Sequence, residues 1–175
     1  LIDNYYQIKN IIYFYKNLLT FWHNTVILKL FQGEKGRNDL RITHEADYAI
    51  RVTYCLALAG EKQCAKDISE VTGVTLRFAL KILRKLTQSG ITKSYKGVAG
   101  GYELNHSPSE ISLGAIIECI DGPIAINHCL ANEFQCTHMG TQKECDFHRV
   151  FSEINRSLRD QLCSITMDHF LPPQK

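Results

Sequence analysis

From Leu40 onward the apolar positions of the chain change period several times, and each change predicts an element. Ala46, Ala49, Ile50, Tyr54, Ala57 and Leu58 recur at helical spacing up to Gly60, a helix stop. A short helix is predicted over Ala65 to Val71, broken at Gly73. Thr75 is then placed to cap a third helix, with Leu76, Ala79, Leu80, Leu83 and Leu86 as its buried stripe and Arg77, Lys81, Arg84 and Gln88 on the opposite side. Gly90 ends it, and the period drops to that of strands: Ile91 to Tyr95, a glycine turn over Gly97 to Gly101, then Tyr102 to Leu104. Two short helices around Gly73 followed by a hairpin predict a helix-turn-helix with a wing.

Ser112 is placed to cap a further short helix, Leu113 to Ile120, which ends before Gly122 and Pro123. A polar loop follows. Phe147, Val150, Phe151, Ile154, Leu158, Leu162 and Ile165 then repeat at three or four residues, a stripe longer than a small core needs, which predicts packing on a second copy in a homodimer. The expected fold is mainly α, a winged helix-turn-helix with a small β-hairpin wing and a long C-terminal dimerisation helix. Its parts are an N-terminal extension (1–39), the DNA-binding region (40–106), a short helix with a cysteine-rich loop (107–146), and the dimerisation helix with its tail (147–175). In the extension Ile8, Ile11, Ile12, Tyr15, Leu18, Leu19 and Trp22 recur at helical spacing without visible chemistry, and Gly33 to Asp39 read as a linker.

Charge sharpens this division. The chain of 175 residues carries a net +2, but residues 40–106 hold ten Lys or Arg against six Asp or Glu, and residues 107–175 five against nine. Between Glu70 and Glu103 no acidic residue occurs, while Arg77, Lys81, Arg84, Lys85, Lys93 and Lys96 all do. This window is a candidate surface for a polyanion, double-stranded DNA, with a solvated basic helix face as the simpler account. In a major groove Thr75, Arg77, Phe78 and Lys81 would read bases, and Arg84 and Lys85 would lie closer to phosphates. Lys93 and Lys96 on the wing would neutralise phosphate. Gly97, Gly100 and Gly101 would either let the backbone approach a groove or satisfy a tight turn.

The polar loop carries the remaining chemistry. Cys129, Cys136 and Cys145 are separated by steps of seven and nine positions, and His148 follows the last by one helical turn. Thiolates select zinc, copper(I) or iron–sulfur clusters, and three of them with one nitrogen or oxygen ligand suit Cys3His zinc or a cluster with one weaker ligand. No CxxC pair is present, which argues against structural zinc. Three reduced structural cysteines, or a metal-free thiol switch, are the alternatives. An enzyme using Cys129 beside His128 is disfavoured, because neighbours in sequence seldom face one another and no oxyanion arrangement is visible. The seven cysteines include one without a disulfide partner in any fully paired scheme. The longest charge-free run at the start, Asn17 to Leu28, is far short of a bilayer span. A reducing, cytoplasmic location without membrane contact is the expectation.

Residues 40 to about 170 resemble the Rrf2 family of bacterial winged-helix regulators, of the IscR and NsrR type. The resemblance rests on Arg41-Ile42-Thr43 with Ala46-Asp47-Tyr48-Ala49-Ile50-Arg51, on Asp67-Ile68-Ser69, Leu80-Lys81-Ile82-Leu83 and Ser89-Gly90-Ile91, on Lys96-Gly97-Val98-Ala99-Gly100-Gly101-Tyr102, and on the three-cysteine loop. It implies homodimers on palindromic promoter sites, with an iron–sulfur cluster on Cys129, Cys136 and Cys145. It implies His148 as fourth ligand of a 2Fe-2S cluster, or Asp47 of the partner as that of a 4Fe-4S cluster. The cysteine spacings are longer than those of either relative. The function implied is a transcription regulator, a repressor, whose DNA affinity follows cluster state in response to redox, nitric oxide or iron–sulfur status. Such proteins begin with methionine where Leu40 stands, which implies that residues 1–39 are an appended helix or a stretch upstream of the natural start.

Overall fold

The first turns of the inner surface of the first helix are built from small residues, and this decides how closely the others can pack there. Ala46, Ala49 and Val52 are fully buried on α1 (His44–Ala59), so neighbouring backbones approach it without large side chains between. The computed structural model describes residues 41–97, 99–130 and 145–173. The readings made for residues 1–39 lie outside the described residues. Thr43 caps α1, its hydroxyl accepting from the Ala46 N–H at 3.1 Å, and Gly60 closes it in the left-handed region.

α2 (Ala65–Thr72) starts at Cys64, whose sulfur accepts from the Asp67 N–H, and closes at Gly73. α3 (Leu76–Gln88) follows. Thr75 occupies its N-cap position, but contrary to expectation its hydroxyl makes no capping bond; its carbonyl instead accepts from the N–H groups of Phe78 and Ala79. The buried stripe of α3 also differs from the predicted one. Ala79, Ile82, Leu83 and Leu86 are fully buried, whereas Leu76 and Leu80 are 44% and 41% exposed. Ile82 in place of Leu80 completes an i, i+3, i+4, i+7 row, so the helix is rotated from the alignment that its leucines alone suggest.

The hairpin pairs β1 (Thr92–Tyr95) with β2 (Gly101–Leu104) antiparallel, Thr92 opposite Leu104 and Tyr95 opposite Gly101. The other edge of β2 is bridged by Gln63, which exchanges two backbone hydrogen bonds with Tyr102 at 2.9 and 2.8 Å. Gly100 meets the backbone of its own tight turn, and Gly101 the backbone of the neighbouring bridge residue Gln63. A Cβ on Gly100 would lie 2.5 Å from the Tyr95 carbonyl oxygen, and one on Gly101 2.6 Å from that of Gln63.

Ser112 caps α4 (Leu113–Asp121) as expected, accepting from the Ala115 N–H. α5 (Asp146–Ser164) is the long C-terminal helix. It stops one residue before Ile165, where the chain turns extended: Leu113 N–H donates to the Ile165 carbonyl and Met167 N–H to that of Ile111, both 2.9 Å. This return seats Met167, fully buried, in the same core as α1, α3 and α4. The described elements thus belong to one unit, Ile42–Lys175. Among the described residues no helix is long and apolar enough to cross a membrane.

The contact between α4 and the end of α5 is tight enough to require glycine. A Cβ on Gly114 would lie 2.5 Å from the Cys163 sulfur and 3.1 Å from its backbone nitrogen. Gly114→Ala is expected to lower stability by about 1–3 kcal/mol through overpacking, with part of the loss recovered in the Gly114→Ala/Cys163→Ala pair; urea unfolding measures both.

Candidate DNA-binding surface and cysteine site

α3 presents Arg77, Lys81, Arg84 and Gln88 as an exposed row, because their i, i+4, i+7, i+11 spacing places them opposite the buried stripe. Among the described residues Arg77 and Arg84 hold no ion pair. Lys93 and Lys96 are likewise exposed on the wing. Helix and hairpin therefore offer cations from two elements joined at their root, where the hydroxyls of Thr87 and Thr92 meet at 2.9 Å.

Three of the residues expected to meet DNA have partners inside the protein. Phe78 is half-buried, its ring edge-on to Tyr48 at 5.7 Å; it packs α3 against α1 instead of standing on the outer face. Lys85 forms an ion pair with Glu45 Oε1 at 2.8 Å and donates to the Ile120 carbonyl at 3.3 Å, joining α1, α3 and α4. Lys81 donates to Glu45 Oε2 at 2.8 Å and lies over the Phe78 ring at 5.5 Å, while its side chain stays 55% exposed. Thr75 is exposed.

Glu45 is thus the residue that sequence reasoning missed. Only its place in the first turn of α1 marks it locally, and its two lysines lie 36 and 40 positions away. The hydrogen bonds from Lys81, then Lys85, hold its carboxyl below the ordinary value of 4.5. Asp47, on the same helix, is paired with Arg51 at 2.8 Å, and the Arg51 guanidinium lies over the Tyr48 ring.

The cysteine site is described at its two ends. Cys129 lies in a short 3-10 turn, His128–Leu130, which packs against α5. The approach to that turn is fixed by Asn155 of α5, whose amide donates to the Ile124 carbonyl at 2.9 Å and whose oxygen accepts from the Ile126 N–H at 3.0 Å. Cys145 is the N-cap residue of α5; its sulfur makes no capping bond and its carbonyl accepts from the Arg149 N–H. His148 shares a face with Asn155, seven positions away, about 10 Å nearer the start of the helix. Its Nδ1 is buried without a hydrogen-bond partner among the described residues. Cys136 lies outside the described residues, and among the described residues no group of three ligating side chains meets.

A buried imidazole nitrogen without a partner among the described residues, one turn after the Cys145 thiol, fits a metal or cluster, since buried polar atoms otherwise find partners. The remaining cysteines have other settings. Cys55 is largely buried, which pushes its thiol up to about 11; Cys64 caps α2; Cys119 donates to the Ser89 hydroxyl at 3.1 Å; and Cys163 packs on Gly114. On the far side of α4, Glu118 accepts two hydrogen bonds from Arg159 of α5 at 2.7 and 3.1 Å, which holds its carboxyl below the usual range.

A profile of the Rrf2 family, iron-dependent transcriptional regulators, matches residues 42–173. An HTH-type transcriptional regulator of Mycobacterium tuberculosis strain H37Rv is 35% identical over 88 residues, 49% of this chain and 55% of the relative. The chain therefore spans about half the length of that relative. The HTH-type transcriptional regulator IscR of Pectobacterium carotovorum is 27% identical over 136 residues, covering 75% of this chain and 79% of the relative. The solved structure of CymR (YrzC), the global cysteine regulator of B. subtilis, superposes with a TM-score of 0.59 at 21% identity, over 74% of this chain and 95% of that one. At that identity the likeness bears on the fold, a winged helix. The family and these relatives are regulators, not enzymes.

The depressed carboxyl of Glu45 has a signed consequence. A folded-state value below the unfolded one stabilises the protein above pH about 4.5 and ceases to do so as pH falls through the folded value. Glu45→Gln is expected to cost about 1 kcal/mol at pH 7, with the difference from the parent closing as pH falls below 4.5 and through the lowered folded-state value; chemical unfolding over an acid-to-neutral pH series measures it.

Proposed function

The chain belongs to the Rrf2 family of transcriptional regulators, and on that premise we propose that it is a cytoplasmic, DNA-binding repressor whose promoter affinity is set by an iron–sulfur cluster. The observation that carries the cluster is His148 Nδ1, buried and, among the described residues, unpartnered one turn after Cys145. Cys129, Cys136, Cys145 and His148 would hold a 2Fe-2S cluster; Asp47 of a partner subunit in place of His148 would favour the 4Fe-4S form. Bound there, such a group supplies one-electron and ligand-exchange chemistry, tuned by its weakest ligand.

The chain's own residues supply the rest. In this reading Arg77 forks onto two guanine acceptors, Arg84 and Lys81 lie along the groove, and Lys93, Lys96 and the Gly97 turn meet phosphate. The exposed stripe of Phe147 (77% exposed), Val150 (43%) and Ile154 (51%) supports a homodimer in which α5 packs on its twin, as a palindromic site requires. Asn155 ties the cysteine loop to α5, Arg159 ties α5 to α4, and Lys85 ties α4 to α3. A shift at the loop therefore has a bonded route to the recognition helix.

Oxygen-free reconstitution is expected to yield visible absorption with iron and acid-labile sulfide. Cys145→Ser should abolish both. His148→Ala should change the spectrum and Asp47→Ala leave it unaltered. DNA titration should show affinities about 5- to 150-fold apart with and without the group. Protein lacking iron and sulfide overturns the cluster and leaves the metal-free thiol switch; equal affinities overturn the sensing.

On DNA, Arg77→Ala should cost about 1–3 kcal/mol on the cognate duplex and little on random sequence. Lys96→Ala should weaken both alike and reduce the salt slope by about 0.9. Fluorescence anisotropy over a salt series separates the two.

A further inference from the structure

Leu80 stands 41% exposed, and Leu76 one turn before it 44% exposed, on a helix whose outer row is otherwise Arg77, Lys81, Arg84 and Gln88. At 3.6 residues per turn Leu80 lies about 60° around the helix from Arg77 and about 40° from Arg84. It is on the flank away from Phe78 and Lys85, the two side chains that turn toward α1. Thr87, seven positions on and so on the same flank, is the residue whose hydroxyl meets Thr92 at the root of the wing. Leu80 thus lies beside the basic row, on the flank of α3 that leads at Thr87 to the root of the hairpin carrying Lys93 and Lys96.

A branched apolar side chain beside a row of cations does not suit another protein's acidic patch, which would have to desolvate against it. It suits a polyanion that itself displays an apolar group. On duplex DNA the major groove has one, the C5 methyl of a pyrimidine, which thymine carries. We propose that Leu80, supported by Leu76, is a specificity-determining contact that reads a thymine methyl in the major groove. Arg77 then selects guanine through hydrogen bonds while Leu80 selects its methylated pyrimidine by shape and desolvation. This rests on the reading of α3 as the DNA-facing helix.

Duplexes enriched from a random pool by the full chain, oxygen-free, provide the probe. Failure to enrich any sequence at several salt concentrations would sink the DNA reading itself, and this proposal with it. With an enriched duplex in hand, each thymine is replaced in turn by deoxyuridine, which removes only the methyl. The parent is expected to lose about four-fold in affinity at one or two positions, the effect of one buried methyl-sized group. Leu80→Ala should lose the same amount on the thymine duplex and nothing more on the deoxyuridine one, while Leu80→Met keeps part of the sensitivity and Arg77→Ala all of it. Three results overturn the proposal: no deoxyuridine position affects the parent; Leu80→Ala retains the full sensitivity; or Leu80→Ala changes only the sedimentation of the DNA-free protein, which marks a protein contact. A gain on exchanging cytosine for 5-methylcytosine, with no loss at any thymine, reassigns the methyl and overturns the thymine assignment.

Discussion

The arrangement of this protein depends on how closely α3 and α4 can lie against α1. Ala46 and Ala49, both fully buried, leave room for Ile82, Leu83 and Leu86 from one side and Ile116 and Ile120 from another, and Met167 fills what remains. Burial of such side chains contributes about 1.5–3 kcal/mol each, far more than any of the polar contacts around them. Larger residues at the two alanines would separate the helices and misplace the outer row of α3, so the surface offered to DNA is set by atoms on the opposite side of the helix.

The polar contacts have a different role. Exposed ion pairs contribute about 0–1 kcal/mol, so Glu45 with its two lysines and Glu118 with Arg159 add modestly to stability. They fix angle and register. Glu45 holds α3 by Lys81 and Lys85, Lys85 reaches on to the end of α4, and Asp121 at that end accepts from the hydroxyl of Thr43, which caps α1. For the proposed regulator this means that α4 stands between the cysteine loop and the recognition helix, bonded to both sides. Coupling of about 1–3 kcal/mol is a typical allosteric magnitude, and contacts of this size, broken together, fall in that range.

Much of this was legible along the chain. Helix ends are local chemistry, so Gly60, Gly73, Ser112 and Gly122 mark them to within a residue or two, and the strand–glycine–strand pattern of the wing needs no distant partner to be read. The basic row was legible for the same reason, since periodicity places Arg77, Lys81 and Arg84 together whatever they face. Family resemblance was legible in short motifs whose residues cap, turn or ligate.

What the sequence could not decide was which way each helix is turned and which charges are already spoken for. Leu76, Leu80 and Ile82 are equally apolar in a list, and only the packing of α3 on α1 and α4 buries Ile82 and leaves the two leucines in water. Phe78 and Lys85 belong to the same basic, aromatic window as Arg77, yet tertiary partners 30 and 40 positions away turn them inward. Met167, beyond the end of the last helix, enters the core because the chain folds back across Ile111 to Leu113. Local sequence determines which elements form, through capping, period and turn chemistry. Rotation and pairing are decided by contacts between distant segments, whose energies no single window of the chain contains.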